Sequence, residues 1–161
     1  MTSTYLTRKG FALLTAELRE LVDIKRPQVM ADLIRAREFG DLRENAEYDT
    51  AKRDQGMNEG RIHELESLLS SVEIVEVPTV VTEAVLGVRI RVENLDFNQE
   101  RVYILVTEQE AHLEEEYLSV QSPLGRSLLG SKIGDMVTFE APAGKRRFKV
   151  LDLHPMTDNG E

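Results

Sequence analysis

Cysteine is absent from the 161 residues, so neither a disulfide framework nor a thiolate metal site is open to this chain. Tryptophan is absent as well. No apolar run approaches the ~20 residues that span a bilayer. The opening Met1-Thr2-Ser3-Thr4-Tyr5 does not read as a signal peptide, so the cytoplasm is the expected location. The three histidines, His63, His112 and His154, are scattered, and no His-Glu-x-x-His spacing occurs. There is no Gly-x-Ser-x-Gly elbow and no glycine-rich phosphate loop. Cations are outnumbered: 20 Lys and Arg face 29 Asp and Glu, for a net charge of −9. A field of that sign repels nucleic acid, so any such contact must come from a local patch.

What is present divides near residue 75. Before it the pattern is helical. Thr7 reads as an N-cap with Arg8 at N1, and Leu6 and Phe11 stand where a hydrophobic staple closes the first turn. Apolar residues follow at Leu14, Leu18 and Leu21, and then, in a shifted frame, at Val22, Val29, Leu33 and Ala36. The shift brackets Pro27, which predicts a kink there and not a stop, because the periodicity resumes. The helix is expected to end near Glu38 or Phe39, with Gly40 past its end. In the second helix Tyr48, Ala51, Gln55, Asn58, Ile62, Leu65, Leu69 and Val72 alternate steps of three and four, which is a heptad seam. The short connection makes the helices antiparallel. About 30 residues each, at ~1.5 Å per residue, predict a hairpin of roughly 45 Å that projects.

After residue 75 strand signals dominate. Val88–Val92 alternates with period two, Arg101–Val106 follows a turn around Asp96-Phe97-Asn98, and Leu118–Val120 is a short strand. Glu108–Glu116 is acidic and ambiguous. Ser122 caps a short helix with Pro123 at N1 and Gly130 beyond its end, which explains Ser122 without a catalytic role. Met136–Glu140 and Arg146–Leu153 form a hairpin. The fold class is α+β: residues 1–75 an antiparallel helical coiled-coil hairpin, 76–83 a linker, and 84–158 a small antiparallel sheet domain with a short helix. The tail after Pro155 is expected to fray.

The hairpin tip reads Gly40-Asp41-Leu42-Arg43-Glu44-Asn45-Ala46-Glu47-Tyr48. Asp41 and Glu44, three apart, suit a capping box at a helix start. Spacing alone favours that capping role, and the same two acids could also complete a metal site that a partner supplies in part. Two carboxylates are too few for a complete Mg²⁺ cage, which takes about six oxygens, and a rod tip has no walls to exclude water. Such a tip fits the completion of another protein's site better than a reaction of its own. Arg35, Arg37, Arg43, Lys52 and Arg53 cluster at the same end. They either meet phosphates or an acidic channel wall, or pair with Asp32, Glu38, Asp49 and Asp54 as a solvated face.

Those nine tip residues resemble the bacterial Gre family of transcript cleavage factors, in its GreA type. The resemblance extends to Ser122-Pro123-Leu124-Gly125-Arg126-Ser127-Leu128-Leu129-Gly130 with Lys132 and Gly134-Asp135, and to Gln55-Gly56 with Glu59-Gly60-Arg61-Ile62. It implies a coiled-coil domain followed by an FKBP-like domain that docks on bacterial RNA polymerase. The coiled coil would enter the secondary channel and stimulate the polymerase's own Mg²⁺-dependent cleavage of the 3′ end of backtracked nascent RNA. The chain would then be no enzyme itself. The resemblance assigns the catalytic and metal-holding roles to Asp41 and Glu44, with the Mg²⁺ shared with polymerase, and RNA contact to Arg37, Arg43, Lys52 and Arg53. A monomer is expected when free. Competing functions are a secondary-channel inhibitor of the same lineage, a prolyl isomerase-like domain on a coiled-coil scaffold, a free-standing metal nuclease, and a scaffold indifferent to the tip charges. A fold does not carry its function with it, so the prolyl isomerase reading needs an aromatic pocket of its own.

Overall fold

A computed structural model of the chain describes residues 4–38 and 45–156, with Asn45 described by its backbone alone. Asp41, Arg43 and Glu44, together with Phe39, Gly40 and Leu42, lie outside the described residues, as does the tail from residue 157. Two compact units emerge. One spans Ala12–Val72. The other joins the chain up to Phe11 with Glu73 onward. The division between hairpin and sheet expected from the sequence thus runs through the first helix, and residues 4–11 count with the sheet.

In the helical unit, α1 (Arg8–Glu20) leads through a π turn (Leu21–Lys25) into α2 (Arg26–Glu38), and α3 is Asn45–Ser70. Thr7 caps α1 as expected, accepting from the Gly10 amide at 3.0 Å through its hydroxyl. Phe11, the expected staple partner, is exposed, while Leu6 is fully buried. The kink expected at Pro27 takes the form of the π turn immediately before it. Pro27 lacks an N–H, and its ring crowds the carbonyl four residues back. The ladder widens ahead of it, so that the Arg26 N–H reaches Leu21 O, five residues back. Leu14, Val29, Leu33 and Ala36 are buried from the first arm, and Ala51, Asn58, Ile62 and Leu65 from the second. The seam of α3 therefore faces inward along its length.

In the other unit, β1 (Thr4–Leu6), which the sequence pattern did not reveal, forms a two-stranded sheet with β2 (Val72–Ile74). Five further strands follow: β3 (Val88–Asn94), β4 (Gln99–Val106), β5 (Tyr117–Ser119), β6 (Met136–Ala141) and β7 (Gly144–Pro155), in the order β5-β4-β3-β7-β6. All pairings are antiparallel except β4 with β5. The short strand expected at Leu118–Val120 begins one residue earlier. The ambiguous acidic stretch opens as a 3-10 turn, Glu108–Glu110. The short helix α4 is Pro123–Leu128. Ser122 caps it by accepting from Gly125 N–H at 3.0 Å. The core of this unit gathers Val88, Ile90 and Val92 of β3, Leu105, Phe148 and Val150 of the sheet, and Leu128 of α4. Period two in β3 is the physical reason its three apolar residues share that side.

Candidate functional site

Arg37 sits in the last turn of α2, and Lys52 and Arg53 lie on α3; all three are exposed. The α2–α3 seam at this level is made by Ala36 and Ala51, both buried. At 3.6 residues per turn, each step along a helix rotates about 100°. Arg37 follows Ala36 by one step and Lys52 follows Ala51 by one step. In antiparallel helices the same step from facing positions leads to the same side. Arg37 and Lys52 therefore share one face of the hairpin, with half-buried Tyr48 beside them on α3. Arg53, two steps from Ala51, points from the back of α3.

The opposite face carries the other sign. A groove of about 430 Å³ there is lined by Asp32, Arg35, Glu47, Thr50 and Asp54 around the two alanines. Arg35 pairs with Asp32 at 3.5 Å, so one member of the basic cluster is a solvated ion pair. Arg37, Lys52 and Arg53 make no ion pair with another described residue. The closed end of the hairpin is thus two-sided: cations without described partners on one face, mostly acids on the other. Among the described residues no three His, Asp or Glu side chains converge as a metal site would require. Asp41 and Glu44, to which the resemblance assigns the metal-holding role, lie outside the described residues.

One constellation escaped the sequence pattern. Glu110, in the acidic stretch, is fully buried. Its carboxylate accepts from Thr7 N–H at 2.8 Å and from the Thr7 hydroxyl at 2.6 Å. Thr107 Oγ1 donates to Tyr5 O at 2.8 Å, and Lys9 pairs with Glu114 at 3.1 Å. These contacts hold residues 4–11 to the 107–117 segment. Burial pushes the Glu110 pKa upward, and the two Thr7 hydrogen bonds only partly offset this. The partners are 103 residues apart, so no local pattern announces them. The single hint was a capped helix start whose positive end favours an acid.

Known proteins resemble the chain over both units. The family described as transcription elongation factor, N-terminal, matches residues 4–74, and the C-terminal domain of the GreA/GreB transcription elongation factors matches residues 79–155. Transcription elongation factor GreA of Thermotoga neapolitana is 42% identical over 153 residues, covering 95% of this chain and 98% of that protein. GreA of Baumannia cicadellinicola is 39% identical over 150 residues, covering 92% and 95%. The crystal structure of GreA factor homolog 1 of Thermus thermophilus aligns over 95% of this chain and 99% of its own, at 27% identity and a TM-score of 0.45. With both halves matched in order and relatives covered nearly end to end, the chain belongs to the GreA/GreB family of transcription elongation factors.

Proposed function

We propose that the protein binds bacterial RNA polymerase through its secondary channel and stimulates the enzyme's intrinsic cleavage of backtracked nascent RNA at the 3′ end. The observation that carries this reading is membership of the elongation-factor family over both halves, in a chain whose tip retains Asp41 and Glu44. Arg37 and Lys52 support it: on one exposed face, without a described ionic partner, they suit phosphate contact by an otherwise acidic protein. Arg43 and Arg53 are assigned to RNA contact on the resemblance alone. Asp41 and Glu44 would share a Mg²⁺ with polymerase, and such an ion supplies charge neutralisation and an activated water. The chain's own part is to bring carboxylates and cations to the transcript, with catalysis resting in polymerase.

The test is Asp41→Asn combined with Glu44→Gln, presented to stalled, backtracked elongation complexes. Polymerase binding is expected to persist while cleavage stimulation is lost. Asn remains a good helix cap, so the melting temperature should change little. Undiminished cleavage by the double variant would reduce both acids to caps.

A further inference from the structure

The two arms of the hairpin differ in residue count at one level. On α3 the inward positions Ala51, Gln55, Asn58, Ile62, Leu65 and Leu69 keep an unbroken alternation of four and three. On the first arm a regular seam continuing from Leu18 would pass through Leu21, Lys25 and Gln28. The residue that is buried instead is Val29. One surplus residue has entered one arm only, and the π turn Leu21–Lys25 absorbs it, ahead of Pro27.

Opposite this turn, α3 carries Gly56 and Gly60. Neither has a neighbour within 4 Å of where a Cβ would stand, so no close packing requires glycine at either position. Glycine in a helix interior weakens it relative to alanine. Both arms are therefore weakened at the same level. Three side chains of α3 nevertheless hold the widened turn from either side. The Asn58 amide donates to Leu21 O at 3.4 Å. Arg26 donates to both carboxylate oxygens of Glu59, at 2.7 and 2.9 Å. Arg61 does the same to Glu17, at 2.7 and 3.1 Å. A small cavity of about 70 Å³ beside Val29, Met30 and Gln55 leaves room for local repacking.

We infer that the π turn with Pro27 on one arm, and the Gly56–Gly60 segment on the other, form a hinge across the hairpin. Bending there is part of how the factor stimulates cleavage, an inference that rests on the function proposed above. The polar contacts at Glu17, Leu21 and Arg26 define the resting angle; the Arg26–Glu59 pair lies at the surface, where it can break and reform without repacking the core, and the Arg61–Glu17 pair is half-exposed.

Two stiffened full-length variants test this: Gly56→Ala with Gly60→Ala, and deletion of Ile24 with Pro27→Ala. The second removes the surplus residue and returns Val29, Leu33 and Ala36 to an uninterrupted seam. Because the chain has no cysteine, spin labels at Ala16→Cys and Glu38→Cys report the bend cleanly. Each glycine replacement is expected to raise Tm by about 2–4 °C. The label-to-label distance distribution should narrow in both stiffened variants. The factor concentration giving half-maximal cleavage should stay at the wild-type value, while the maximal cleavage rate falls at least about fivefold. A distribution as narrow in wild type as in the stiffened variants overturns the hinge. Narrowing with a wild-type maximal rate overturns its part in cleavage. If the wild-type protein itself stimulates no cleavage, the proposed function fails instead, and the distance distributions still decide whether the hinge exists.

Discussion

Glu110 is the only acid among the described residues that is fully buried, and its neighbourhood shows what a single carboxylate can organise. Thr7 caps α1 by accepting from Gly10 N–H, and its own N–H and hydroxyl both donate to Glu110. A Cβ on Gly10 would stand 2.4 Å from the carboxylate, so only glycine admits this approach. Glu110→Ala strands two buried donors and should lower stability by about 3 kcal/mol, read by urea unfolding at constant m. Glu110→Gln keeps an acceptor and should cost about 1 kcal/mol. The pH dependence separates charge from shape. Because burial raises the Glu110 pKa, its favourable contribution is complete below the ordinary glutamate range and is lost as pH rises through the raised value. The stability of the wild type relative to Glu110→Gln should therefore decline as pH rises across that window; a difference independent of pH would show that folding leaves the Glu110 pKa unshifted. Tyr117 packs nearby, and its buried hydroxyl stands close to Thr7 without a hydrogen bond of regular geometry. Its pKa is pushed up to about 12, first by burial and then by Glu110 and Glu114. Tyr117→Phe removes that hydroxyl and should leave stability within about 1 kcal/mol of the wild type.

Among the elements, α4 shows how closely a six-residue helix can be specified. Ser122 accepts from Gly125 N–H and donates to Ser119 O at 2.6 Å, and Pro123 occupies N1. A Cβ at Gly125 would fall 1.9 Å from Ser119 O, which is backbone and cannot rotate away. Gly125→Ala should cost about 3 kcal/mol and Ser122→Ala about 1 kcal/mol, both measurable as shifts in the urea midpoint. The larger loss belongs to the glycine because relieving its clash moves the chain joining β5 to α4. The turn between β3 and β4 is held in a comparable way. Asp96 accepts from the Arg147 amide at 3.0 Å and from its guanidinium, and these contacts, the amide first, hold its carboxyl below the usual aspartate range. That anchoring is present above the ordinary aspartate range and fades as pH falls through the lowered value.

At the scale of the whole molecule, an acidic chain segregates its charge at the closed end of the hairpin. The net charge is −9, yet Arg37 and Lys52 share a hairpin face, while Asp32, Glu47 and Asp54 line the other. If that face meets RNA, Arg37→Ala and Lys52→Ala should each reduce the salt dependence of the factor's effect on cleavage. The log–log slope should fall by roughly 0.7 per cation removed, as for single-stranded phosphate contacts. An unchanged slope in the double variant would remove both residues from the RNA contact. Arg35→Ala, which loses a cation already paired with Asp32, should move the slope less.

The seam of α3, the capped starts of α1 and α4, and the alternation of β3 were legible in the sequence, because each is a local pattern set by backbone geometry. Pro27 likewise announced a break in the first arm through the ring it carries and the donor it lacks. The motif residues Asp41 and Glu44 were readable by resemblance, and their geometry lies outside the described residues. Tertiary structure decided the rest. The parallel pairing of β5, the short β1, and the placement of residues 4–11 with the sheet all depend on partners far along the chain. The burial of Glu110 is of the same kind, since an acid among acids reads as solvated until a distant threonine supplies its donors. The hinge belongs partly to each level: the surplus residue is countable in the sequence, but only packing against α3 shows that one arm carries it alone. It also shows that Asn58, Glu59 and Arg61 gather around the turn that absorbs it.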